Sequence, residues 1–378
     1  MSVRKPADAT SGESSESRYA RRAVFNSALL GAGAAMLPQF IRTAAGANVA
    51  SDGSATFGNP SWTFTFVSQA ATNPFFVPTR YGLADAAKLL GCKYQWLGTS
   101  TESVVPAMVQ VMNSAIAAGV DGIAVAMVDD NAFNDPTARA LAAGIPVIAF
   151  NSDVTPASAN QRLSYVGENQ YTLGLAIGGQ ILKYIDSGRI AIMISTPGAL
   201  SLQPRVDGAI HVIKSSGRDI HYDVVATGTT FATQVANARA YYLGHPDVRG
   251  MFGVDIGSGT GIAEAIRKYD LRKKGVYGST TDIYPITNKA IADDILQFTF
   301  DQQPYFEGFY AFMELFFIKL SGAMEGAAPI GTGPLLVTKA NISKYLDRPS
   351  RFIGNTSAER VLPIGKSVIG RSFPPQPE

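Results

Sequence analysis

The chain has 378 residues, of which 46% are hydrophobic and only 16% are charged. At ~150 residues per domain this length predicts two domains. A composition with so many apolar and so few charged residues argues against a disordered chain and against a coiled coil. The 32 Lys and Arg residues nearly balance the 30 Asp and Glu residues, and the formal net charge is +2. Because there is no basic excess to bind a phosphate backbone, we expect no nucleic acid partner.

The first 50 residues predict a cleaved export signal. Paired arginines, Arg21 and Arg22, precede a weakly apolar run at 28–41 and then a stretch of small residues. A charged region, an apolar run and small residues are typical of a secretory signal, and the paired arginines resemble a twin-arginine signal. The alternative is a membrane anchor, but the run is interrupted by small residues and a proline, whereas a span needs ~20 apolar residues. We predict cleavage near Ala47 or Ala50 and a mature protein in the periplasm or otherwise outside the cytoplasmic membrane.

From residue 61 onward, segments typical of strands alternate with segments typical of helices. The first strand is predicted at 62–67, and the first helix at 75–90, where apolar residues recur at helical spacing and Gly91 follows. The run 122–127 is apolar without alternation, as in a parallel sheet that is buried on both faces. Further strands are predicted at 93–97, 144–150, 163–166, 189–194, 220–226, 248–254, 276–278, 296–300 and 335–338. Further helices are predicted at 104–118, 137–143, 170–185, 205–214, 234–243, 262–269 and 305–320.

This alternation predicts an α/β protein with two consecutive doubly wound units of similar size between about residues 61 and 300. A loop rich in Gly, Ala and Pro follows the last long helix, at 321–334. The tail from residue 341 has no clear period and ends in Pro-rich sequence. It is predicted to be either a surface wrap or a disordered end.

The sequence contains no motif that predicts catalysis. It has no GxSxG, no HExxH and no Walker A sequence. The glycine-rich run 253–261 follows a predicted strand but fails the GxGxxG spacing of a dinucleotide site, so we interpret it as a tight strand-to-helix turn. The single cysteine, Cys92, excludes an internal disulfide framework, and three scattered histidines lack metal-ligand spacing. We expect no enzyme activity, no cofactor and no metal.

Polar and aromatic residues follow the predicted strands at their carboxyl ends, where open α/β sheets bind ligands. These candidate ligand-binding residues are Gln69, Asn73, Phe75, Phe76, Asn151, Asp153, Arg205, Phe231, Asp255 and Gln302, with Ser152 between two of them. Amides, carboxylates and a guanidinium group can bind hydroxyl groups, and aromatic faces can cover the apolar C–H faces of a ring. The set therefore suits a polyhydroxylated ligand.

Four motifs in order carry a resemblance to a known family. They are Thr72-Asn73-Pro74-Phe75-Phe76 followed by Gly82, Gly144-Ile145-Pro146-Val147-Ile148 with Asn151 and Asp153 behind it, His245-Pro246-Asp247-Val248, and Gln302 with Pro304 and Gly308. Together they resemble the periplasmic sugar-binding proteins of the ribose-binding type over about residues 62–337. The resemblance implies the type I periplasmic binding protein fold, in which two doubly wound lobes are joined by a three-segment hinge. It also implies a receptor that closes on a sugar or polyol and delivers it to the permease of an ABC importer, and in some members docks on a chemoreceptor.

The resemblance also implies lobe boundaries and ligand positions. It places an N-terminal lobe at 61–167 plus 304–333, a C-terminal lobe at 168–301 plus 334–340, and a tail at 341–378, with crossings near 166–169, 301–303 and 332–335. The residues that match family ligand positions are Asn73, Phe75, Phe76, Arg205, Phe231, Asp255 and Gln302.

Several positions depart from the pattern of ribose binders. Gln69 replaces their usual Ser, Asp255 their usual Asn, and Asn151-Ser152-Asp153 their Asp-Arg pair. Met127 falls where an Asn is common, and Ser279-Thr280-Thr281-Asp282 stands where an Asp of the seventh-strand loop is expected. These departures argue against ribose itself and leave another sugar or a polyol as the expected ligand.

Each candidate residue also has a purely structural interpretation. One ring of the pair Phe75 and Phe76 is expected to face the ligand and the other to back it. Asp255 could cap the next helix, Asn73 could be a turn residue, Phe231 could be a buried staple, and Arg205 could be an exposed residue at a helix start. Either Asn151 or Asp153 is expected to point inward, and either Asp255 or Asp153 is expected to balance the charge of Arg205.

Two other functions share this fold. A lac-repressor-type regulator would carry a helix-turn-helix in its first ~60 residues, where this chain has paired arginines and an apolar run. An enzyme on the same scaffold would need a nucleophile with a base or a carboxylate pair, and neither is apparent. We therefore favour the exported sugar receptor.

Overall fold

The computed structural model describes residues 61–100, 104–322, 328–346 and 350–358. The predicted signal and its twin-arginine motif lie outside these residues, as does the end of the predicted tail.

Two six-stranded sheets organise the chain. The strands of the first sheet are β1 (Thr63–Ser68), β2 (Lys93–Gly98), β3 (Gly122–Val125), β4 (Val147–Phe150), β5 (Tyr165–Gly167) and β11 (Ile330–Gly331). The strands of the second are β6 (Gly188–Ile194), β7 (Ile220–Ala226), β8 (Gly250–Gly253), β9 (Tyr277–Ser279), β10 (Phe298–Asp301) and β12 (Leu335–Thr338). The strand orders are β11-β5-β4-β3-β1-β2 and β12-β10-β9-β8-β6-β7. Only the pairing of β10 with β12 is antiparallel among these described strands.

Helices connect the strands in both sheets. They are α1 (Val77–Leu90), α2 (Val105–Ala117), α3 (Asn134–Ala142), α4 (Gln170–Ile181), α5 (Gln203–Ser215), α6 (Phe231–Gly244), α7 (Ile256–Lys268), α8 (Pro285–Ala292), α9 (Pro304–Ser321) and α10 (Ser343–Leu346). The helix predicted at 75–90 is a 3-10 turn, Pro74–Phe76, followed by α1. The sequence did not predict α8, and β11 lies in the segment that was predicted to be a loop.

The all-apolar strands explain the layered core. Every residue of β3 and β4 is buried, as expected for parallel strands that are covered by helices on both faces. In the first sheet, Phe64 meets Phe312 of α9 at a ring distance of 5.1 Å, so a helix late in the chain completes the core of the first lobe. A separate set of buried apolar residues covers each face of the second sheet. The predicted fold class is therefore confirmed.

The chain passes between the two sheets three times, at 168–169, 302–303 and 332–334. These hinge segments are bonded to one another: the Gln303 side-chain amide donates to the carbonyl of Thr332, and the Thr332 N–H donates to the carbonyl of Gly167 over 3.3 Å. The three-segment hinge agrees with the expected crossings, while the residue boundaries of the lobes remain a prediction.

Residues 350–358 pack against the helices of the first lobe. Arg351 donates to both carboxylate oxygens of Asp85 on α1, over 2.7 and 3.0 Å, and the ring of Phe352 lies 4.4 Å from that of Tyr305. This part of the tail thus runs along the surface beside the hinge. Among the described residues, no helix is long and apolar enough to cross a membrane.

Candidate ligand-binding site

Both sheets have the same winding, and it places a cleft between their carboxyl ends. In each sheet the connections change direction beside the first strand, between β1 and β3 and between β6 and β8. Ligands of doubly wound sheets bind at this switch point. A cavity of about 360 Å³ lies there, and residues of both lobes line it.

Nine of the ten predicted site residues line this cavity: Gln69, Asn73, Phe75, Phe76, Asn151, Arg205, Phe231, Asp255 and Gln302. Asp153 is not among the lining residues. Its two carboxylate oxygens accept hydrogen bonds from the guanidinium group of Arg162, and one of them also accepts from the Val154 N–H. Of the two residues left open by the sequence, Asn151 is thus the one at the cavity.

The aromatic pair is divided between core and cavity. Phe76 is 2% exposed and packs against Trp96 at 5.4 Å between ring centroids. Phe75 is half-buried and meets Phe76 edge to face at 4.9 Å. The Asn73 side chain accepts from the Phe75 N–H over 2.9 Å and so holds the 3-10 turn in which both rings lie. This arrangement leaves Phe75 as the ring available to cover an apolar ligand face.

Two other first-lobe residues present amides at the cavity. Oε1 of Gln69 is buried and has no hydrogen-bond partner among the described residues. Asn151 has a φ of 58°, in the left-handed region that Asn tolerates better than most residues. This turn comes directly after β4 and is the reason that Asn151 lies at the cavity, where its amide donates to Glu307 over 3.1 Å. Strained backbone of this kind is concentrated at functional sites.

Arg205 is the centre of a hydrogen-bond network that joins the second lobe to the hinge. Its guanidinium group donates to Oε1 of Gln170 over 2.7 Å, to the carbonyl of Val254 over 2.7 Å and to Oε1 of Gln302 over 3.1 Å. Gln170 begins α4, just after the first hinge segment, and Gln302 lies in the second. Because guanidinium has five N–H donors, two remain for a ligand.

The backbone of α4 fixes the position of Arg205. A Cβ on Gly174 would lie 2.4 Å from the carbonyl oxygen of Arg205, so only glycine allows the two helices to approach this closely. Arg205 is only 3% exposed, and it is therefore not the exposed helix-start residue of the structural interpretation.

Asp282 balances the charge of Arg205, and the expectation that Asp255 or Asp153 would do so is wrong. Its Oδ2 lies 3.9 Å from a guanidinium nitrogen, and its other oxygen accepts from the Gln302 amide. Burial raises the pKa of Asp282 to about 6, although the charge of Arg205 opposes the shift. Asp282 was not predicted as a site residue, because the segment 279–282 was interpreted as lacking the Asp of the seventh-strand loop. Asp282 lies three residues after the end of β9, with a φ of 78° in the left-handed region.

Asp255 caps α7, as its structural interpretation predicted. Its carboxylate accepts from the N–H and hydroxyl of Ser258 and from the N–H of Ser195, each at 2.8–2.9 Å. Phe231 begins α6, is 43% exposed, and stacks with Tyr284 at 6.0 Å. It is therefore a ring at the surface of the cavity and not a buried staple.

Buried carboxyl groups surround the hinge side of the site. Burial raises the pKa of Glu307 to about 8 and that of Glu168 to about 7. Oε1 of Glu307 and Oε2 of Glu168 have no hydrogen-bond partner among the described residues. Burial thus favours the neutral, protonated form of both carboxyl groups.

The cavity offers hydroxyl-binding groups from both lobes together with the faces of Phe75 and Phe231. Within the described residues, no group of three or more His, Cys, Asp or Glu side chains could hold a metal ion. The chemistry of the lining is that of reversible recognition of a small polyhydroxylated molecule. Gln170 and Gln234 were not predicted either. Both lie in helices, as Arg205 and Phe231 do, but the family resemblance assigned a ligand position to neither.

Comparisons with known proteins agree with this geometry. Residues 64–319 match the periplasmic binding protein domain family. The chain is 39% identical over 314 residues to a xylose/arabinose-binding protein of Sulfolobus acidocaldarius, which covers 79% of this chain and 76% of that protein. It is 25% identical over 221 residues to an ABC transporter periplasmic-binding protein of Escherichia coli, covering 56% of this chain and 67% of that protein.

A solved structure extends the comparison to a bound ligand. The solute-binding protein of an ABC transporter from Burkholderia graminis, in complex with D-arabinose, superposes with a TM-score of 0.68 at 26% identity, covering 75% of this chain and 97% of the other. None of these relatives supports the alternative of a transcriptional regulator.

Proposed function

This chain belongs to the periplasmic binding protein family, and we propose that it is the exported receptor of an ABC importer that binds a pentose such as xylose or arabinose between its lobes. The observation that carries the proposal is the cavity between the two sheets, where Arg205, Asp282 and Gln302 meet Asn73 and Phe75 from the other lobe. The names of two relatives mention xylose or arabinose, which supports one of these two aldopentoses over the aldopentose ribose.

The cavity combines hydrogen-bond donors, hydrogen-bond acceptors and aromatic faces, as a sugar requires. Guanidinium, amide and carboxylate groups can satisfy hydroxyls as donors and acceptors, and half-buried rings can cover the ring C–H groups. The Arg205 network connects the cavity to Gln302 in the second hinge segment and to Gln170, the first residue after the first hinge segment. A ligand that bonds Arg205 therefore stabilises the arrangement of the hinge as well. Closure of the lobes around the ligand is therefore part of the proposal.

Pentoses should raise the melting temperature of the mature protein, because a ligand that binds only the folded state stabilises it. The experiment is a thermal-shift screen of residues 51–378 with aldopentoses, hexoses, polyols and cyclitols, followed by calorimetric titration of the hits. Small-angle scattering with and without the best ligand should show a smaller radius of gyration in the complex. A screen in which no monosaccharide or polyol shifts the melting temperature would overturn the proposal.

Export should depend on the paired arginines of the predicted signal. Replacing Arg21 and Arg22 with lysine should leave the precursor in the cytoplasm, because the twin-arginine pathway reads that pair. The measurement is cell fractionation followed by immunoblotting, with Arg4→Lys as the matched control. Normal export of the double variant would contradict a twin-arginine signal and would leave sugar binding unaffected. Delivery to a particular permease and docking on a chemoreceptor remain predictions from the family resemblance.

A further inference from the structure

Gln234 lines the cavity but takes no part in the hydrogen-bond network of Arg205. It lies in the first turns of α6. Gln234 as a whole residue is only 5% exposed. Its backbone N–H donates to the carbonyl of Thr230 over 3.0 Å. Among the described residues its side-chain amide forms no hydrogen bond, whereas the side chains of Gln170 and Gln302 are both bonded. An amide that lines a cavity and has no partner in the protein has its hydrogen-bonding groups available to a ligand.

The packing of α6 on α7 holds this amide in place. A Cβ on Gly257 would lie 1.9 Å from Oε1 of Gln234 and 2.2 Å from its Nε2, so the amide lies directly against the Cα of Gly257. A Cβ on Gly261 would lie 2.5 Å from the carbonyl oxygen of Gln234. The glycine-rich run at 253–261 therefore serves close packing of these helices. It fixes the Gln234 amide at the cavity by contact and leaves its donor and acceptor atoms unused.

We propose that Gln234 is a specificity-determining residue whose amide binds two neighbouring hydroxyl groups of the sugar. This inference rests on the proposed function, and it adds a residue that distinguishes sugars by the positions of their hydroxyl groups. A side-chain amide offers an acceptor oxygen beside two N–H donors, so one hydroxyl can donate to Oε1 while its neighbour accepts from Nε2.

The charges around the amide favour neutral hydroxyls over an anionic group. Arg205, Asp255 and Asp282 line the same cavity. Arg205 and Asp282 balance each other, which leaves the carboxylate of Asp255, whose oxygens already accept three hydrogen bonds from Ser195 and Ser258. A site built to bond a hydroxyl rejects an analogue that lacks it, because the buried polar group of the protein is then left unpaired. Gln234 should therefore discriminate among sugars more strongly than the rings that cover their C–H faces.

The test combines Gln234→Leu with deoxy sugars in calorimetric titrations. The probes are the pentose that binds wild type best and its 2-, 3- and 4-deoxy analogues. Gln234→Leu should weaken binding of the parent pentose by roughly 10- to 100-fold. One deoxy analogue, or two with neighbouring positions, should bind to wild type and to Gln234→Leu with the same affinity, because the hydroxyl that pairs with Gln234 is already missing. Any analogue that keeps those hydroxyls should lose as much affinity on the substitution as the parent pentose does.

Two further variants keep the test clear of folding effects. Gly257→Ala leaves the amide present but displaces it, and it should give the same pattern of losses. Gln110→Leu, on the exposed surface of α2, is the matched control and should bind as wild type does. Equal losses for every deoxy analogue, or parent affinity within twofold of wild type, would overturn the role of Gln234. If wild type itself binds no monosaccharide, the proposed function fails and this inference fails with it.

Discussion

Replacing Arg205 with alanine should weaken sugar binding by roughly 10- to 150-fold and should also lower the stability of the ligand-free protein. The loss of affinity follows from the two N–H donors of this lining residue that the protein leaves unused, since a hydrogen bond to a charged group is worth about 1.5–3 kcal/mol. The loss of stability follows from Asp282, whose carboxylate is left buried without its cation. Breaking a buried pair by removing one partner typically costs about 3–5 kcal/mol.

Because both effects are expected, affinity and stability have to be separated. The double variant Arg205→Ala with Asp282→Asn removes the uncompensated carboxylate, so it should regain part of the melting temperature without regaining affinity. Arg205→Lys should keep the charge but lose the fork that reaches Gln170, Val254 and Gln302 together. The measurements are thermal unfolding of the ligand-free variants and calorimetric titration with the best pentose. Recovery of affinity in step with stability would show that Arg205 has only a structural role.

The fold could be predicted from the sequence because its signals are local and repeated. Buried parallel strands such as β3 are continuous apolar runs, and the last strand was predicted at 335–338, where β12 lies. The misses are short elements. The helix α8 has eight residues, which is too little to establish a helical period, and β11 has two.

The candidate site was predictable only where residues follow strands. That rule led to Asn73, Arg205 and Gln302, because the ends of parallel strands converge on one edge of the sheet. It does not show which way a side chain in a loop points. Asp153 follows a strand, as the rule requires, but its carboxylate forms an ion pair with Arg162 and does not line the cavity. It also cannot foresee helical residues that packing brings to the cavity, such as Gln234, whose position depends on the distance between α6 and α7.

The buried acids at the hinge follow from tertiary packing, which the sequence pattern does not reveal. Glu307 is the fourth residue of α9 and is fully buried, and Asp282 and Glu168 add to the effect of burial on its pKa while Asn151 and Arg205 oppose it. The pKa of Glu314 is also raised by burial, to about 7. Several carboxyl groups are thus held closer to neutrality than their surface counterparts, with consequences for stability.

Stability of the ligand-free protein should fall as the pH rises from about 5 to 8, and Glu307→Gln should reduce this dependence. The pKa of Glu307 is raised to about 8 in the folded protein, against about 4.3 in an unfolded chain. Between these values the folded state holds a proton that the unfolded state has released. The free energy of unfolding therefore decreases by up to about 1.4 kcal/mol per pH unit for this group, and the decrease ends above the folded pKa. Glu168, Glu314 and Asp282 act with the same sign over narrower ranges, because their raised pKa values are lower.

Glutamine is the appropriate replacement for Glu307 because its side-chain oxygen can still accept from the Asn151 amide, yet it cannot ionise. Urea unfolding of wild type and variant at pH 5, 6, 7 and 8 should give a stability difference that shifts in favour of the variant with each step. Glu264→Gln, which removes a carboxylate from ion pairs with Arg239 and Arg267, is the control and should give a difference that does not vary across this range. A Glu307→Gln difference that is equally constant would show that Glu307 is ionised in the folded protein, and the carboxylate would then have to draw its stabilisation from Arg205 across the hinge.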